Sequence, residues 1–596
     1  MESGRLFDIA VSDSSTAFAY IDTESKDDEC KIEIVEKVCQ QRVVFSKPSV
    51  RRLIIEMYAA FNDCQKLAQN DDVLDPTTSC EISRSYRSIL LNAAIAHSNS
   101  DLLDDFSLWS LYEKLYFSRS DGSICADLIS WANESFTFVK TATLKAAEEF
   151  NPSAEQQSEE YWKGVALSLL TCNFKECIEL LSMFSNEPAV DRFLSSLEMF
   201  STDLLIDEGK TDKLNEWKET LTNNLKFGKY GNQQNIIFLT KLLIGNEDYL
   251  GAMASRLIDN WWTFIPFYVL VKNPLANYGE FVNSADECRQ LFEDPENTKN
   301  EPDVFWCLIS KDDASFYQLI MDNPWLSVHL VDLIQKSTKD AELIDLRRNL
   351  ILNYASSLIL HSSLWEIGVG YLLQCGTEGL LRLESHIEGI HIEDEEMAEN
   401  LFEICEINRL DDAKSCVTNT MTYRYLRMEE WSAALGWALK SGSKKSIDTV
   451  VSKIVGSSSR EEMASLSVLN TLRVDSVHKP SLSFLYNYQR FVKMMQSGEL
   501  SDCVKHLVPL IMMPDVPTQY YSDLFDYLIF IIKEDDMRTG IRFPKEILYE
   551  LSTFLATFSL DKSVDLEDGY LRRVKVLKKM VMLKLAESIS KGIMCQ

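Results

Sequence analysis

From Pro48 onward the hydrophobic pattern has the period of a helix and keeps it to the end of the chain. This excludes an all-β fold. Glycine (21 of 596) and proline (14 of 596) stand at about half their usual frequency, so the helices are expected to be long and their turns short. One arrangement recurs: a helix ends, a polar turn follows, then comes a large apolar residue with a small one three positions later. The pairs are Phe174/Cys177, Tyr249/Ala252, Leu410/Ala413, Trp431/Ala434 and Leu500/Cys503. The i,i+3 spacing puts both on one helix face, where the small residue admits a neighbouring helix. Successive pairs are separated by 75, 161, 21 and 69 residues. No fixed repeat survives, so the pattern predicts an irregular stack of antiparallel helix hairpins rather than a tetratricopeptide or HEAT array. Breaks are expected at 150–160, 293–303, 455–461 and 513–518.

The first 45 residues read differently. Phe7, Ile9 and Val11 alternate with Asp8 and Ala10, Phe18 and Tyr20 with Ala17 and Ala19, and Ile32 and Ile34 with Lys31 and Glu33. Val43–Phe45 is a fourth short apolar run. Period-two patterning between polar turns predicts three or four short strands. Ala17, Ala19 and Ile21 make the second strand apolar on its other face as well, so the meander calls for cover on both sides. A lone meander of this size is marginal and must pack on something.

Sixty basic residues against 91 acidic ones give a net charge of −31, which repels phosphate and disfavours direct contact with nucleic acid. The 14 cysteines include no CxxC pair, and no secretory leader is expected from MESGRLFDIAVSDS, so reduced thiols are the simple reading. The longest apolar run, WWTFIPFYVLV at 261–271, is too short to cross roughly 30 Å of hydrocarbon, so no transmembrane segment is expected.

Motifs for chemistry are few. DDVLD at 71–75 matches the aspartate-rich magnesium motif of all-helical prenyl synthases, with Asp71, Asp72 and Asp75 as the candidate ligands. Pro76 follows at once and no second aspartate motif completes a site, so a solvated acidic loop is the expectation. His386 and His391 have no acidic ligand in register and read as helix-end residues beside the acidic turn Glu393–Glu396. Trp261, Trp262, Phe264, Phe267 and Tyr268 at helical spacing read as core. Arg572, Arg573, Lys575, Lys578 and Lys579 make the last helix basic, with Val574, Leu577, Val581 and Leu585 on its other face. No catalytic residue, metal or cofactor is expected.

Several long segments resemble a known family. They are YWKGVALSLLTCNFKECIELLS (161–182), LLIGNEDYL (242–250), LIDNWWTFIPFYVLVKNP (257–274), NYASSLILHSSLWEIGVGYLLQC (353–375) and LRLESHIEGIHIEDEE (381–396). In order, they resemble the nucleoporin eighty-five family, scaffold subunits of the Y-shaped outer-ring complex of the nuclear pore. The resemblance implies a mainly α fold, the ancestral coatomer element: a helical stack that folds back on itself through crown, trunk and tail. It maps a β-blade to 1–46, the first part of the trunk to 47–160, the crown to 161–323, the returning trunk to 324–479 and the tail to 480–596. It also implies partners. The blade, through Phe7, Ile9, Val11, Phe18, Tyr20, Ile32, Ile34, Val43 and Phe45, would complete the open propeller of the Sec13-homologous nucleoporin, and the tail would meet other Y-complex scaffold nucleoporins. The implied role is a non-enzymatic scaffold at the nuclear envelope that supports pore assembly and transport of protein and mRNA. A vesicle-coat scaffold and a magnesium-dependent helical enzyme are the alternatives. Packing residues are expected at Trp162, Leu169, Trp261, Trp262, Tyr354, Trp365 and Gly368, with Trp365 buried and Gly368 where a second helix comes close.

Overall fold

The computed structural model describes residues 5–11, 15–21, 47–70, 74–97, 100–117, 124–151, 157–184, 187–200, 211–246, 249–251, 256–292, 303–457, 466–471, 480–498, 500–513, 516, 518–537, 543–558 and 568–594. At the N-terminus, β1 (Arg5–Val11) pairs antiparallel with β2 (Ser15–Ile21). The runs at Ile32–Ile34 and Val43–Phe45, expected as further strands, lie outside the described residues.

The rest of the described chain is mainly helical and divides into two units, residues 1–379 and 380–596. The first unit opens with α1 (Pro48–Asn70), α2 (Pro76–His97) and α3 (Ser100–Tyr112), which runs into a π turn at Glu113–Phe117. Then come α4 (Ile124–Ser135), α5 (Thr137–Glu148), α6 (Glu159–Leu170), α7 (Phe174–Leu181), α8 (Pro188–Glu198) and α9 (Thr211–Lys226). Next are α10 (Gln234–Ile244), α11 (Trp261–Lys272), α12 (Tyr278–Gln290), α13 (Val304–Ser310) and α14 (Asp313–Ile320). The unit closes with α15 (Pro324–Thr338), α16 (Glu342–Ile359) and α17 (Trp365–Leu373), and α18 (Gly376–Gly389) carries the chain into the second unit. There follow α19 (Glu395–Asn408), α20 (Asp411–Arg427), α21 (Trp431–Ser441), α22 (Lys444–Ser457) and the short α23 (Val468–Thr471). The last are α24 (Pro480–Ser497), α25 (Leu500–Ile511), α26 (Thr518–Met537), α27 (Lys545–Phe558) and α28 (Asp568–Met594).

The hairpin turns explain how so many helices manage with so little glycine. Cys172, Lys311, Arg409 and Glu429 adopt left-handed backbone, with φ between 57° and 61°. Each is followed by an amide that reaches back across the turn: Asn173 to Ser168 O, Asp312 to Cys307 O, Leu410 to Cys405 O and Glu430 to Tyr425 O, all at 2.9–3.0 Å. This is the Schellman arrangement that satisfies the last carbonyls of a helix. A side chain in left-handed backbone costs roughly 1–2 kcal/mol, and the recovered hydrogen bonds offset it. The small members of three sequence pairs, Cys177, Ala413 and Ala434, are completely buried behind the turns at Cys172, Arg409 and Glu429, and Cys503 is completely buried as well.

In the first unit the chain returns on itself. Helix α11 packs against α4 and α6, and α15 packs against α1 and α2. Every residue of α11 from Trp261 to Val271 is buried, with Pro266 inside the helix. In the second unit, sequence neighbours pair (α19 with α20, α20 with α21, α24 with α25, α27 with α28), and one apolar cluster runs from Leu426 at the end of α20 to Leu585. Among the described residues, no helix is long and apolar enough to cross a membrane.

Candidate functional site

The place where α15–α17 return to α1 is the most specialised part of the first unit. Helix α17 has glycine at positions 368 and 370. Two residues apart on a helix lie about 200° apart around its axis, so the two glycines face different neighbours. A Cβ on Gly368 would stand 2.6 Å from Cγ1 of Ile359 and 2.8 Å from the carbonyl oxygen of Ala355, both on α16. A Cβ on Gly370 would collide with the hydroxyl of Tyr58 on α1. Helix α17 is therefore a thin wedge between two helices. Trp365 at its start is 6% exposed and Tyr354 on α16 is 3% exposed. Tyr371 fills the centre, with ring centroids 4.6 Å from Phe61, 5.0 Å from Tyr58 and 5.4 Å from Tyr354.

Polar groups sit inside this aromatic packing; His329 and Asp332 are paired, while the buried hydroxyls of Tyr354 and Tyr86 have no hydrogen-bond partner among the described residues. His329 Nδ1 donates to the Trp325 carbonyl, so Nε2 is the acceptor and takes the Tyr371 hydroxyl at 2.7 Å. Burial drives the imidazole down to about 4, so it stays neutral. One turn on, Asp332 is fully buried. It accepts from Gln65 Nε2 at 2.7 Å and from Arg347 Nε at 2.5 Å, while Arg347 also donates to Gln65 Oε1 at 3.2 Å. This triad ties α1, α15 and α16 together across more than 260 residues of sequence. Cys64 beside it is buried, which pushes its thiol well up. His329 and Asp332 are wholly closed to solvent, so no substrate reaches them. The arrangement can hold helices in register, and it offers nothing to a reacting molecule.

A second buried set supports the π turn. Arg87 pairs with Glu113 at 2.9 Å and with Glu134 at 3.1 Å, and Lys114 pairs with Glu134 at 2.9 Å. Ser83 donates to Glu113 and accepts from Trp109 Nε1. Burial pushes the Glu134 carboxyl up, but Lys114 and Arg87 together outweigh it and hold the group below its ordinary range.

The N-terminal hairpin is defined by its register. Phe7, Ile9 and Val11 stand opposite Ala19, Ala17 and Ser15, and Leu6 and Asp8 stand opposite Tyr20 and Phe18. Of the residues expected to bind a propeller, Ile32, Ile34, Val43 and Phe45 lie outside the described residues.

The sequence model of the Nup85 Nucleoporin family matches residues 34–557, nearly the whole helical body. The chain belongs to the Nup85 nucleoporin family. The relatives include Nuclear pore complex protein Nup85 of Danio rerio, 24% identical over 550 residues that cover 85% of this chain and 83% of that protein. The human protein of that name is 22% identical, covering 82% and 77%. Nuclear pore complex protein Nup75 of Drosophila melanogaster is 21% identical, covering 91% and 86%.

In this nucleoporin the other expected positions fall as follows. Leu169, Trp261 and Trp262 are buried, and Trp262 stacks on Phe305 at 4.3 Å. Trp162, expected as core, is only half-buried: it stacks on Phe184 at the edge of the α6–α7 hairpin, because Tyr161 beside it takes the inner position. Asp71 and Asp72 lie outside the described residues. Asp75 is exposed and caps α2, accepting from the Thr78 amide at 2.7 Å and the Thr77 hydroxyl at 2.6 Å, which holds its carboxyl below the usual range. Among the described residues no group of three or more His, Cys, Asp or Glu could hold a metal ion. Asp394 caps α19 through the Met397 amide, so the acidic run after His391 is a helix start. Sequence reasoning missed Gly370, Asp332, Arg347 and the Arg87 network. The closely spaced glycines of WEIGVGYLL were the one readable signal for a helix crowded on two sides.

Proposed function

We propose that this nucleoporin is a non-enzymatic structural scaffold of the outer-ring Y complex of the nuclear pore, supporting pore assembly and the passage of protein and mRNA. The observation that carries the reading is the family match across residues 34–557. The sealed polar node agrees with it, since a scaffold needs fixed helix register and no reactive site. The return of α15 on to α1 and α2 supports an ancestral coatomer element, with trunk segments 47–160 and 324–479, crown 161–323 and tail 480–596.

Residues 1–46 complete the propeller of the Sec13-homologous nucleoporin as an added blade. Support comes from the β1–β2 pairing, which leaves each strand one unpaired edge among the described residues, and from a sequence that is apolar in both alternations. The tail meets other Y-complex scaffold nucleoporins. Its α28 supports this: Val574, Leu577 and Val581 are buried, while Val576, Met582 and Leu583 are 49–66% exposed on a helix that also carries Arg572, Lys575 and Lys579. The deciding experiment is co-purification with the propeller subunit. Deleting residues 1–46 should abolish capture while circular dichroism of the helical body is unchanged. Undiminished capture would sink the blade assignment.

A further inference from the structure

The turn between α16 and α17 carries a serine on which groups from two separate parts of the chain converge. Ser362 and Ser363 at its tip are both exposed. Ser363 Oγ accepts from Arg51 Nη1, in the first turn of α1, at 3.4 Å and across 312 residues of sequence. It also lies 3.1 Å from His361 Nδ1, which accepts from the Ser363 amide at 3.3 Å. Helix α17 starts at Trp365, so its N-terminal, positive end begins two residues after Ser363.

Two features set this serine apart from an ordinary turn residue. The first is an underused guanidinium. Arg51 Nε is a buried atom with no hydrogen-bond partner among the described residues, and such atoms are uncommon. Arg52 beside it is engaged, donating to Glu56 at 2.7 Å. A neutral hydroxyl at 3.4 Å is a weak partner for a guanidinium, whose forked N–H groups match the paired oxygens of an anion. The second feature is position. Arg51 and Tyr58 are seven residues apart on α1, and the Tyr58 hydroxyl is the group that Gly370 accommodates. Ser363 precedes Gly370 by the same interval, so the Arg51–Ser363 contact continues the seam between α1 and α17. Glu366, in the first turn of α17, opposes added negative charge there, whereas Arg51, His361 and the helix end favour it.

We propose that Ser363 is a phosphorylation site, and that its phosphate locks the first turn of α1 to the α16–α17 turn. A kinase supplies the γ-phosphoryl group of a nucleoside triphosphate. The Ser363 oxygen bonds to phosphorus, the bond to the β-phosphate oxygen breaks, the nucleoside diphosphate leaves, and the hydroxyl proton passes to the base of the kinase. The product carries about −1.5 to −2 charges and three acceptor oxygens at neutral pH. Arg51 then offers two N–H groups where the hydroxyl used one, His361 can take up a proton and donate, and the amides at the start of α17 face the new charge. Helix α1 directly follows residues 1–46, so the lock acts on the helix from which the hairpin segment departs. The inference holds whatever that segment binds.

The test begins with the full chain purified from the cells that make it and mapped by mass spectrometry. Phosphate on Ser363 is expected. A recovered peptide that spans the turn and carries no phosphate, or carries it only on Ser362, overturns the proposal. The full chain bearing phosphoserine at 363 is then compared with the unmodified chain. Amides in the first two turns of α1 should exchange about tenfold more slowly, the size of one hydrogen bond to a charged group. The second ionisation of the phosphate, followed by phosphorus NMR, should fall below its ordinary value of about 6. Arg51→Gln should cancel both changes, and Arg51→Lys, which keeps the charge without the fork, should restore only part of them. Unchanged exchange with an ordinary ionisation overturns the proposal, and so does a gain that survives Arg51→Gln. If an Arg51 variant fails to fold, the phosphorylated and unmodified chains still decide.

Discussion

The two units bury different things. Unit 1, residues 1–379, encloses Arg87, Glu113, His329 and Asp332, whereas the buried polar residues of unit 2 among those described are Thr418, Thr422 and Gln489. The difference follows connectivity. Unit 2 pairs helices close in sequence, so short turns already dictate which faces meet. Unit 1 must bring α15 to α1 after the intervening helices, and hydrocarbon alone would accept several registers. A buried ion pair adds little net stability, but it penalises every arrangement that leaves a charge unpaired. The return of α15 to α1 is specified by polar groups, and the hairpins of unit 2 by turns.

The comparison can be broken at its strongest point first. Asp332→Ala strands the Arg347 guanidinium in the interior and should cost about 3–5 kcal/mol. Hydrogen exchange should rise in α1, α15 and α16 and stay unchanged in α24–α28. In unit 2, Leu507→Ala should cost about 2–5 kcal/mol as a cavity, and denaturant unfolding should show the loss in the second unit.

A pH series sharpens the contrast. His329 is held near 4 in the folded chain against an ordinary 6.5. Between those values the unfolded chain binds a proton that the folded one refuses. Stability contributed by neutral His329 is therefore present above pH 6.5 and falls as pH drops toward 4, by at most about 1.4 kcal/mol per pH unit. His329→Gln should flatten that part of the unfolding profile, and an unchanged slope would show that other groups set it. The smallest change in stability belongs to the triple variant Gln65→Leu, Asp332→Leu, Arg347→Met. It should leave the unfolding free energy about level or higher but blur the pairing of α1 with α15, read as multiple exchange regimes. A single sharp native state would remove specificity from the explanation.

Much of the helical grammar was legible beforehand. The i,i+3 pairs mark the hairpins because the turn chemistry is local, and Gly368 announces a close approach because a glycine inside a helix is otherwise unfavourable. The scarcity of glycine was harder to read correctly, since Cys172, Lys311, Arg409 and Glu429 take the left-handed positions that glycine usually fills. The register triad was invisible. Asp332, Arg347 and Gln65 look like ordinary surface residues of three amphipathic helices, and only the return of the chain brings them together. Trp162 misled because a tryptophan beside a tyrosine on a helix cannot share its inward face.

The distance in sequence between Gln65 and Asp332 also sets a timetable. At about 5–20 residues per second, the 267 residues between them take roughly 13–50 s to synthesise. Throughout that interval Met57, Phe61 and Cys64 on α1, all fully buried in the finished chain, have no α15 to cover them. The residues that precede α1 have by then long left the ribosome. A nascent chain in this state is open to any partner that engages its first segment early, and assembly can begin before the protein that will anchor it is complete.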